Sequence, residues 1–494
     1  MPVEKRVEKP PFGIIAILMV GAFISFLNNT LLNIALPSIM IDLKVDTATV
    51  QWLSTGFMLV NGILIPATAF LIRKYSVRNL FLAAILLFTI GTILGGTADV
   101  FPVLLTGRML QASGSAILMP LLMNVMLTSF PIEKRGTAMG VFGLILMAAP
   151  AIGPTLSGWI VQNYDWRMLF HFISPIAGLT LVLGFFWLKD KKEKVNIKLD
   201  YLSLLLSSIG FGGILYGFSS AGSKGWSSIH VYLPLIVGAI SLVIFVLRSV
   251  KQENPMLNFS VFKYPMFRLS SIITMVVNMS MFSGMLLLPI YIQSLRGISP
   301  LDAGLMLLPG AIIMAIMSPI TGKLFDKYGG KALALTGLSI TVVTTYLFSN
   351  LEFDSSYWYL TTIYTIRMFG MSMVMMPVST NGLNQLPPVY YPHGTAMNNT
   401  LSQISGAIGT AVLVTIMSSK AASIGEKLGQ EAYANLVASG DPITDEVMAT
   451  MQAQVEAQAT LEGINFSFLI STFIALIALI LALFIKRSTP QEVK

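Results

Sequence analysis

Hydropathy along the chain comes in long apolar runs separated by short polar breaks. Fourteen charge-poor runs of span length can be counted, at about 12–37, 49–72, 79–98, 101–129, 136–162, 166–188, 201–220, 230–249, 267–294, 301–323, 331–350, 357–384, 394–419 and 464–485. A helix of ~20 residues at ~1.5 Å rise covers the ~30 Å hydrocarbon core of a bilayer. Lipid offers the backbone no hydrogen-bond partner, so each such run must satisfy itself as a helix. The pattern predicts an all-α integral membrane protein with fourteen transmembrane helices.

An even count puts both termini on one side, and Lys and Arg decide which. Of 31 basic residues, 23 fall on the side of the termini and six opposite, while Arg108 and Arg367 lie inside spans. The positive-inside bias therefore predicts cytoplasmic termini. The densest charge run, 189–198, is expected to be a solvated linker against anionic headgroups. The one long external segment, 420–463, holds seven acids and is expected to form either a partly helical cap or a solvated loop.

Composition agrees: 54% of residues are hydrophobic, 11% are charged, and the mean hydropathy is +0.75, whereas a soluble domain carries about 25% charged residues. The net charge of +8 then reflects basic loops and not nucleic-acid binding. There is no cysteine, and His171, His230 and His393 form no cluster with metal-ligand spacing, so neither a metal nor a cofactor is expected. The first apolar run is span-length and shows no small-residue cleavage site for a leader.

The runs also repeat. Residues 322–331 (Gly-Lys-Leu-Phe-Asp-Lys-Tyr-Gly-Gly-Lys) share Leu, Lys, Tyr and a final base with residues 69–78 (Ala-Phe-Leu-Ile-Arg-Lys-Tyr-Ser-Val-Arg) at an offset of 253, and Pro66 falls on Pro319. Gly136-Thr-Ala-Met returns as Gly394-Thr-Ala-Met at an offset of 258. Helix 4, with Arg108 and Pro120, matches helix 12, with Arg367 and Pro377. Helices 1–6 (residues 1–188) and 9–14 (261–494) read as two related six-helix bundles, with helices 7 and 8 inserted in 189–260. Parallel repeats predict two halves that rock about a central cavity, exposing a midplane site to each side in turn.

Residues 136–163 contain no charge yet hold Pro150 and Pro154, one turn apart, among Gly140, Ala149, Gly153, Ser157 and Gly158. Two prolines would break a helix in water. In a bilayer a neighbouring helix can re-satisfy the freed carbonyls, and small residues let it come close. This helix is expected to bend and to pack tightly on a partner.

Gly140, Ala149, Gly153-Pro154 and Ser157-Gly158 resemble the antiporter motif in helix 5 of drug exporters of the major facilitator superfamily, which implies efflux by exchange. Gly322, Leu324, Asp326, Lys327 and Gly329 resemble the superfamily's cytoplasmic motif between its second and third helices. The first-half copy departs from it, with Arg73 where the acid belongs and Ser76 where the second glycine belongs. Physically the motif is either a latch, its acid meeting bases or a helix N-terminus across the bundle, or a charged cap that fixes topology. The departure predicts a weak first-half latch or one with other partners. Arg108, three residues before Gln111, resembles the Arg-x-x-Gln-Gly motif of helix 4, with Ala112 replacing the glycine. The resemblance implies proton coupling, whereas burial alone implies an anchor for carbonyls or for a substrate dipole. Leu27-Asn28-Asn29-Thr30-Leu31-Leu32-Asn33-Ile34-Ala35-Leu36-Pro37 and Asp165-Trp166-Arg167-Met168-Leu169-Phe170 resemble signatures of the fourteen-helix drug:proton antiporters. The nearest likeness is to Gram-positive lincosamide and quinolone exporters. It implies a major facilitator fold in a bacterial plasma membrane, with small-molecule drugs, protons and lipids as partners. Nothing demands an oligomer, so a monomer is expected.

Asn28 stands where many relatives carry aspartate, and all 23 acids lie in loops or at span ends. A buried carboxylate is the usual attractor of cationic drugs and the usual proton carrier. Its absence predicts neutral, zwitterionic or anionic amphipathic substrates, and leaves Arg108, Asp302, Asp165 and His171 as coupling candidates. The cavity is expected to draw on Asn28, Asn29, Asn33, Arg108 and Gln111 from the first half, and on Asn278, Met279, Phe282, Met371, Met375 and Asn398 from the second. The methionines of helices 9 and 12 suit either a repacking pocket or ordinary core filling. Gating is expected at Gly140, Pro150, Gly153, Pro154, Gly158, Gly322, Asp326, Lys327 and Gly329. A narrow exporter of a native metabolite or lipid is the rival on the same fold. A membrane enzyme would need clustered His, Asp or Glu, and a scaffold would not need paired halves.

Overall fold

A computed structural model gives the chain as helices, with no strand among the described residues, which are 12–188, 199–439 and 444–487. The charged run 189–198 and both extreme termini lie outside them, as do the side chains of Asn33, Pro150, Pro154 and Phe282. The first six spans are α1 (Phe12–Asp42), α2 (Trp52–Lys74), α3 (Val77–Gly96), α4 (Phe101–Ser129), α5 (Arg135–Asn163) and α6 (Met168–Trp187). Next come α7 (Tyr201–Lys224) and α8 (Ile229–Lys251). The last six are α9 (Pro265–Pro289), α10 (Pro300–Tyr328), α11 (Gly330–Leu347), α12 in two pieces (Tyr357–Ser372 and Met375–Asn384), α13 (Tyr391–Ser439) and α14 (Asp445–Ala482). Eleven described helices are apolar and long enough to cross a membrane.

Two expected runs differ in extent. The run 357–384 is broken at Met373 and Val374, because Pro377 cannot donate to the carbonyl four residues earlier and its ring crowds that turn. The segment 420–463 prolongs α13 and α14 into a helical arm, with 440–443 outside the described residues. At ~1.5 Å per residue the 49 residues of α13 reach roughly 70 Å, more than twice the hydrocarbon core.

The repeat reappears as packing. Gly91 of α3 lies on the Gly107 carbonyl of α4, and Gly337 of α11 lies on the Gly370 carbonyl of α12. A side chain at either place would strike backbone, so the same two spans of each bundle cross through glycine. One apolar core runs through the first bundle and on into Phe267, Leu383, Leu386, Tyr391, Ala396 and Met397 of the second. Those six sit near the ends of α9, α12 and α13 that share the face of the short basic loops, called here the basic face.

The pair α7–α8 is anchored by Asp200, which caps α7 through the Leu202 and Ser203 amides and pairs with Arg248 at 2.9 Å. Arg248, then the Gln252 and Ser203 side chains, hold its carboxyl well below the usual carboxylate range. α7 touches both bundles: Tyr216 stacks on Trp52 of α2 with centroids 6.0 Å apart, and Trp226, just past its end, donates to Thr415 of α13 at 2.7 Å.

Candidate functional site

Within the first bundle α1, α2, α3 and α4 surround a polar cluster. Arg108 is 1% exposed and meets no carboxylate among the described residues. Its guanidinium donates to Gln111 Oε1 at 3.0 Å, to Asn29 Oδ1 at 3.2 Å and to the Leu53 carbonyl at 3.4 Å, and lies 4.3 Å from the Phe57 ring centroid. Asn28 donates to the same Gln111 oxygen at 2.9 Å, and Gln111 donates to Thr92 at 2.9 Å. Ser25 and Ser115 hydrogen-bond one another beside them. A buried cation is thus solvated by neutral acceptors and a ring face, with charge left over. The half-buried Asn29 forms the edge of the cluster, while Asn28, Arg108 and Gln111 lie behind it.

The second bundle holds the counterpart. Arg367 of α12 donates to the Ser280 carbonyl of α9 at 2.9 Å, and its Nε has no hydrogen-bond partner among the described residues. Asn278 donates to Ser402 at 3.1 Å. Asn398 accepts from Ser271 and donates to Ser379, each at 3.2 Å. Met371 is packed in an apolar core with Met368, whereas Met279 and Met375 are half-buried. Of the methionines expected to line a cavity, Met371 is core filling.

The bundles meet most closely where α5 crosses α10. A Cβ on Gly140 would come 2.6 Å from the Ser318 carbonyl, and one on Gly322 would strike the Gly136 carbonyl. Ser318 donates to the Gly140 carbonyl at 2.8 Å. At the basic end of the crossing, Asp326 accepts from the Gly136 and Thr137 amides, each at 2.8 Å, and from the Thr137 hydroxyl at 2.6 Å. These amides open α5 and have no acceptor within it, so the carboxylate meets both unpaired donors and the positive end of a helix dipole. Arg135, one residue earlier, donates across the seam to Tyr391 at 2.8 Å and Asn384 at 3.3 Å. Gly329 closes α10 with φ of 80°, a conformation that favours glycine. Lys327 lies over the Tyr328 ring, 5.0 Å from its centroid.

The sister contact joins α2 to α13. By the two offsets, Arg73 occupies the place of Asp326 and His393 the place of Arg135. The signs do not mirror. Arg73 Nη1 lies 3.4 Å from His393 Nε2, and Nη2 donates to Asn254 at 3.2 Å. The Asn258 amide donates to His393 Nδ1 at 3.1 Å. A neutral imidazole accepts at one nitrogen only. Accepting from Asn258 leaves Nε2 protonated toward Arg73, so the guanidinium gains little there.

A model of the Major Facilitator Superfamily matches residues 18–410. The chain belongs to the major facilitator superfamily. It is 46% identical to the uncharacterized MFS-type transporter YhcA of Bacillus subtilis, over 98% of this chain and 94% of that one. It is 41% identical to the lincomycin resistance protein LmrB of Listeria monocytogenes, over 97% of both. The solved structure of the human organic anion transporter MFSD10 covers 94% of this chain and all of that one, with a TM-score of 0.63 at 14% identity, a likeness of fold.

As a major facilitator the chain is a multi-pass membrane transporter and not an enzyme. Several expected site residues fall away from its seam. Asp302 is exposed at the start of α10, where its amide donates to the capping Ser299 hydroxyl and its carboxylate accepts from that same hydroxyl. Asp165 is exposed and braces Arg167 at 3.3 Å. Arg167 also pairs with Asp42 at 2.9 Å and donates to the Ala98 carbonyl, tying together the ends of α1, α3 and α6 on the face opposite the basic one. Hydrogen bonds from Trp166 and then Arg167 lower the Asp42 carboxyl from its ordinary value. His171 is exposed beside Gly96. Gly158 corrects the close-packing expectation: nothing lies within 4 Å of where its Cβ would be. Gly153, against Thr30, and Ser157, donating to the Leu31 carbonyl at 2.6 Å, make the contact to α1 instead. Sequence reading missed Arg135, Tyr391 and His393 as seam residues. The Gly-Thr-Ala-Met repeat beside two of them was the available signal.

Proposed function

We propose that this transporter exports amphipathic, mainly neutral or zwitterionic drugs from a bacterial cytoplasm in exchange for protons. The observation that carries the substrate class is the Arg108 cluster, where Gln111, which also accepts from Asn28, meets a buried guanidinium that has no carboxylate partner among the described residues. Such a site repels a second cation and offers amide groups to neutral polar ones. The lincomycin resistance of relatives supports drug export. We read the basic face as cytoplasmic, the halves as residues 1–188 and 261–494, and the α5–α10 seam as the closed cytoplasmic gate of a monomer. Arg108 is then the residue that ties substrate to coupling: a polar substrate group at Asn29 would displace that side chain as an acceptor of the buried guanidinium.

The test is transport in proteoliposomes under an imposed pH gradient, offering in turn a neutral phenicol, a lincosamide and a cationic dye. The neutral drugs should move with proton counterflow and the dye should not. Asn28→Asp should admit the dye by supplying the missing carboxylate. Transport that ignores the gradient, or that moves only the cation, sinks the reading.

A further inference from the structure

α7 touches one helix of each bundle and grips the two in different ways. Against α2 the helices interlock near their middles. Leu215 of α7 is 1% exposed and sits over Gly62, where a Cβ would strike its Cδ1. Ile63 of α2 sits over Gly212 in the opposite sense, its Cδ1 3.1 Å from where that Cβ would be. Each helix thus puts a branched side chain into a glycine notch of the other, and neither slides without lifting out. Tyr216 adds its stack on Trp52. Against α13, toward the end away from the basic face, the surface has little relief. Ala221 packs with Ala411 in a small apolar cluster, and a Cβ on Gly222 would come no nearer than 3.3 Å to Val414. The directional tie there is the hydrogen bond from Trp226 to Thr415. α8 follows α7, because Gly213 and Gly238 bring the two backbones together and Asp200 joins them at the basic end.

We propose that α7 and α8 travel with the first bundle, that α13 slides along the outer end of α7 as the bundles move, and that the Trp226–Thr415 hydrogen bond is the catch holding α13 in the closed-seam position. Movement takes the path that costs least. Withdrawing Leu215 and Ile63 from their notches forfeits the close packing of two branched side chains. Moving Ala411 and Val414 along Ala221 and Gly222 keeps apolar contact throughout and gives up the Trp226 bond. A helix that stays on one bundle while it bears on the other keeps α2 and α13 bridged in every state. This rests on reading the halves as moving bodies, and not on which substrate they move.

The experiment uses the full chain, which has no cysteine, so a disulfide can lock α7 to either side. Ile63→Cys with Gly212→Cys ties it to α2. Gly222→Cys with Val414→Cys ties it to α13, with a Cβ–Cβ separation of 3.7 Å, inside the ~3.5–4.5 Å that a disulfide spans. Oxidised and reduced chains are compared in nanodiscs by hydrogen–deuterium exchange at the Gly136 and Thr137 amides, which Asp326 releases when the seam opens. Reduction of the same chain controls for folding. The readout contains no substrate, so its failure is distinct from a failure of the drug-export assay. The α7–α2 disulfide should leave exchange within about twofold of the reduced chain, and the α7–α13 disulfide should slow it roughly tenfold or more. Trp226→Phe keeps a ring against Phe218 and removes the donor to Thr415. It should speed exchange roughly twofold to tenfold. Slowing by the α7–α2 disulfide, equal exchange with the two disulfides, or unchanged exchange in Trp226→Phe overturns the proposal.

Discussion

The two contacts that join the bundles at the basic face occupy equivalent places in the repeat and solve the same problem with opposite charges. At the α5–α10 contact a carboxylate, Asp326, accepts three hydrogen bonds from the first turn of α5, and Arg135 reaches across to Tyr391 and Asn384. At the α2–α13 contact a guanidinium, Arg73, faces the first turn of α13, and His393 stands where the arginine would be. The first contact is complete within the chain. The second has two positive ends, an imidazole whose nitrogens face the Asn258 amide and the Arg73 guanidinium, and a cavity. Two halves with the same fold need not hold with the same strength: the charge at one residue decides whether a helix end is bound or repelled.

The largest expected effect breaks the stronger contact. Asp326→Ala removes a charged acceptor from three donors, and a hydrogen bond to a charged group contributes about 1.5–3 kcal/mol net. The three share one carboxylate, so the closed seam should lose about 2–3 kcal/mol, roughly 30- to 160-fold in the closed-to-open ratio. Spin labels at Lys134→Cys and Lys331→Cys report it. An unchanged distance distribution would mean that Asp326 only fixes topology.

Next in size is the packing beneath it. Gly322→Ala puts a methyl into the Gly136 carbonyl, and neither helix can yield without opening the crossing. Overpacking of this kind costs about 1–3 kcal/mol, charged here to the closed state and read by the same labels. Gly158→Ala adds the same methyl where nothing lies within 4 Å, and should leave the distances and transport unchanged. Equal effects from the two would show that helix propensity, and not close approach, governs the α5–α10 crossing.

These contrasts mark how far the sequence could be read. The fourteen apolar runs and the parallel repeat were visible because lipid forces each span to be long, uncharged and helical. Asp326 was legible because its neighbours Gly322 and Gly329 are needed by backbone geometry. Its target, the first turn of α5, was not, since hydrogen bonding to an amide leaves no mark on residue type. Arg108 was legible as a charge out of place, but its partners Phe57 and Leu53 were not, one offering only a ring face and the other only its carbonyl. Gly158 misled for the converse reason: a small residue permits close packing without requiring it. Pro377 accompanies the break in α12, whereas the identical residue type at Pro66 and Pro319 leaves α2 and α10 continuous, so proline marks a freed carbonyl and neighbours decide the outcome.

The smallest expected effect is the one that asks whether the two contacts are versions of one device. Arg73→Asp should by itself strengthen the α2–α13 side, because a carboxylate then meets the N-terminal end of α13. His393→Arg should by itself weaken it, because a second guanidinium then crowds Arg73. Together the substitutions recreate the Asp326 and Arg135 arrangement. Residues in contact usually couple by about 0.5–3 kcal/mol, and the half-exposed setting of Arg73 puts this pair near the lower end. The closed fraction of the double variant should exceed the product of the two single effects by roughly twofold to fivefold, measured with spin labels at Tyr75→Cys and Lys263→Cys. Simple additivity would mean that the repeat carried the backbone of the contact but not its electrostatics, and that the α2–α13 side closes by packing alone.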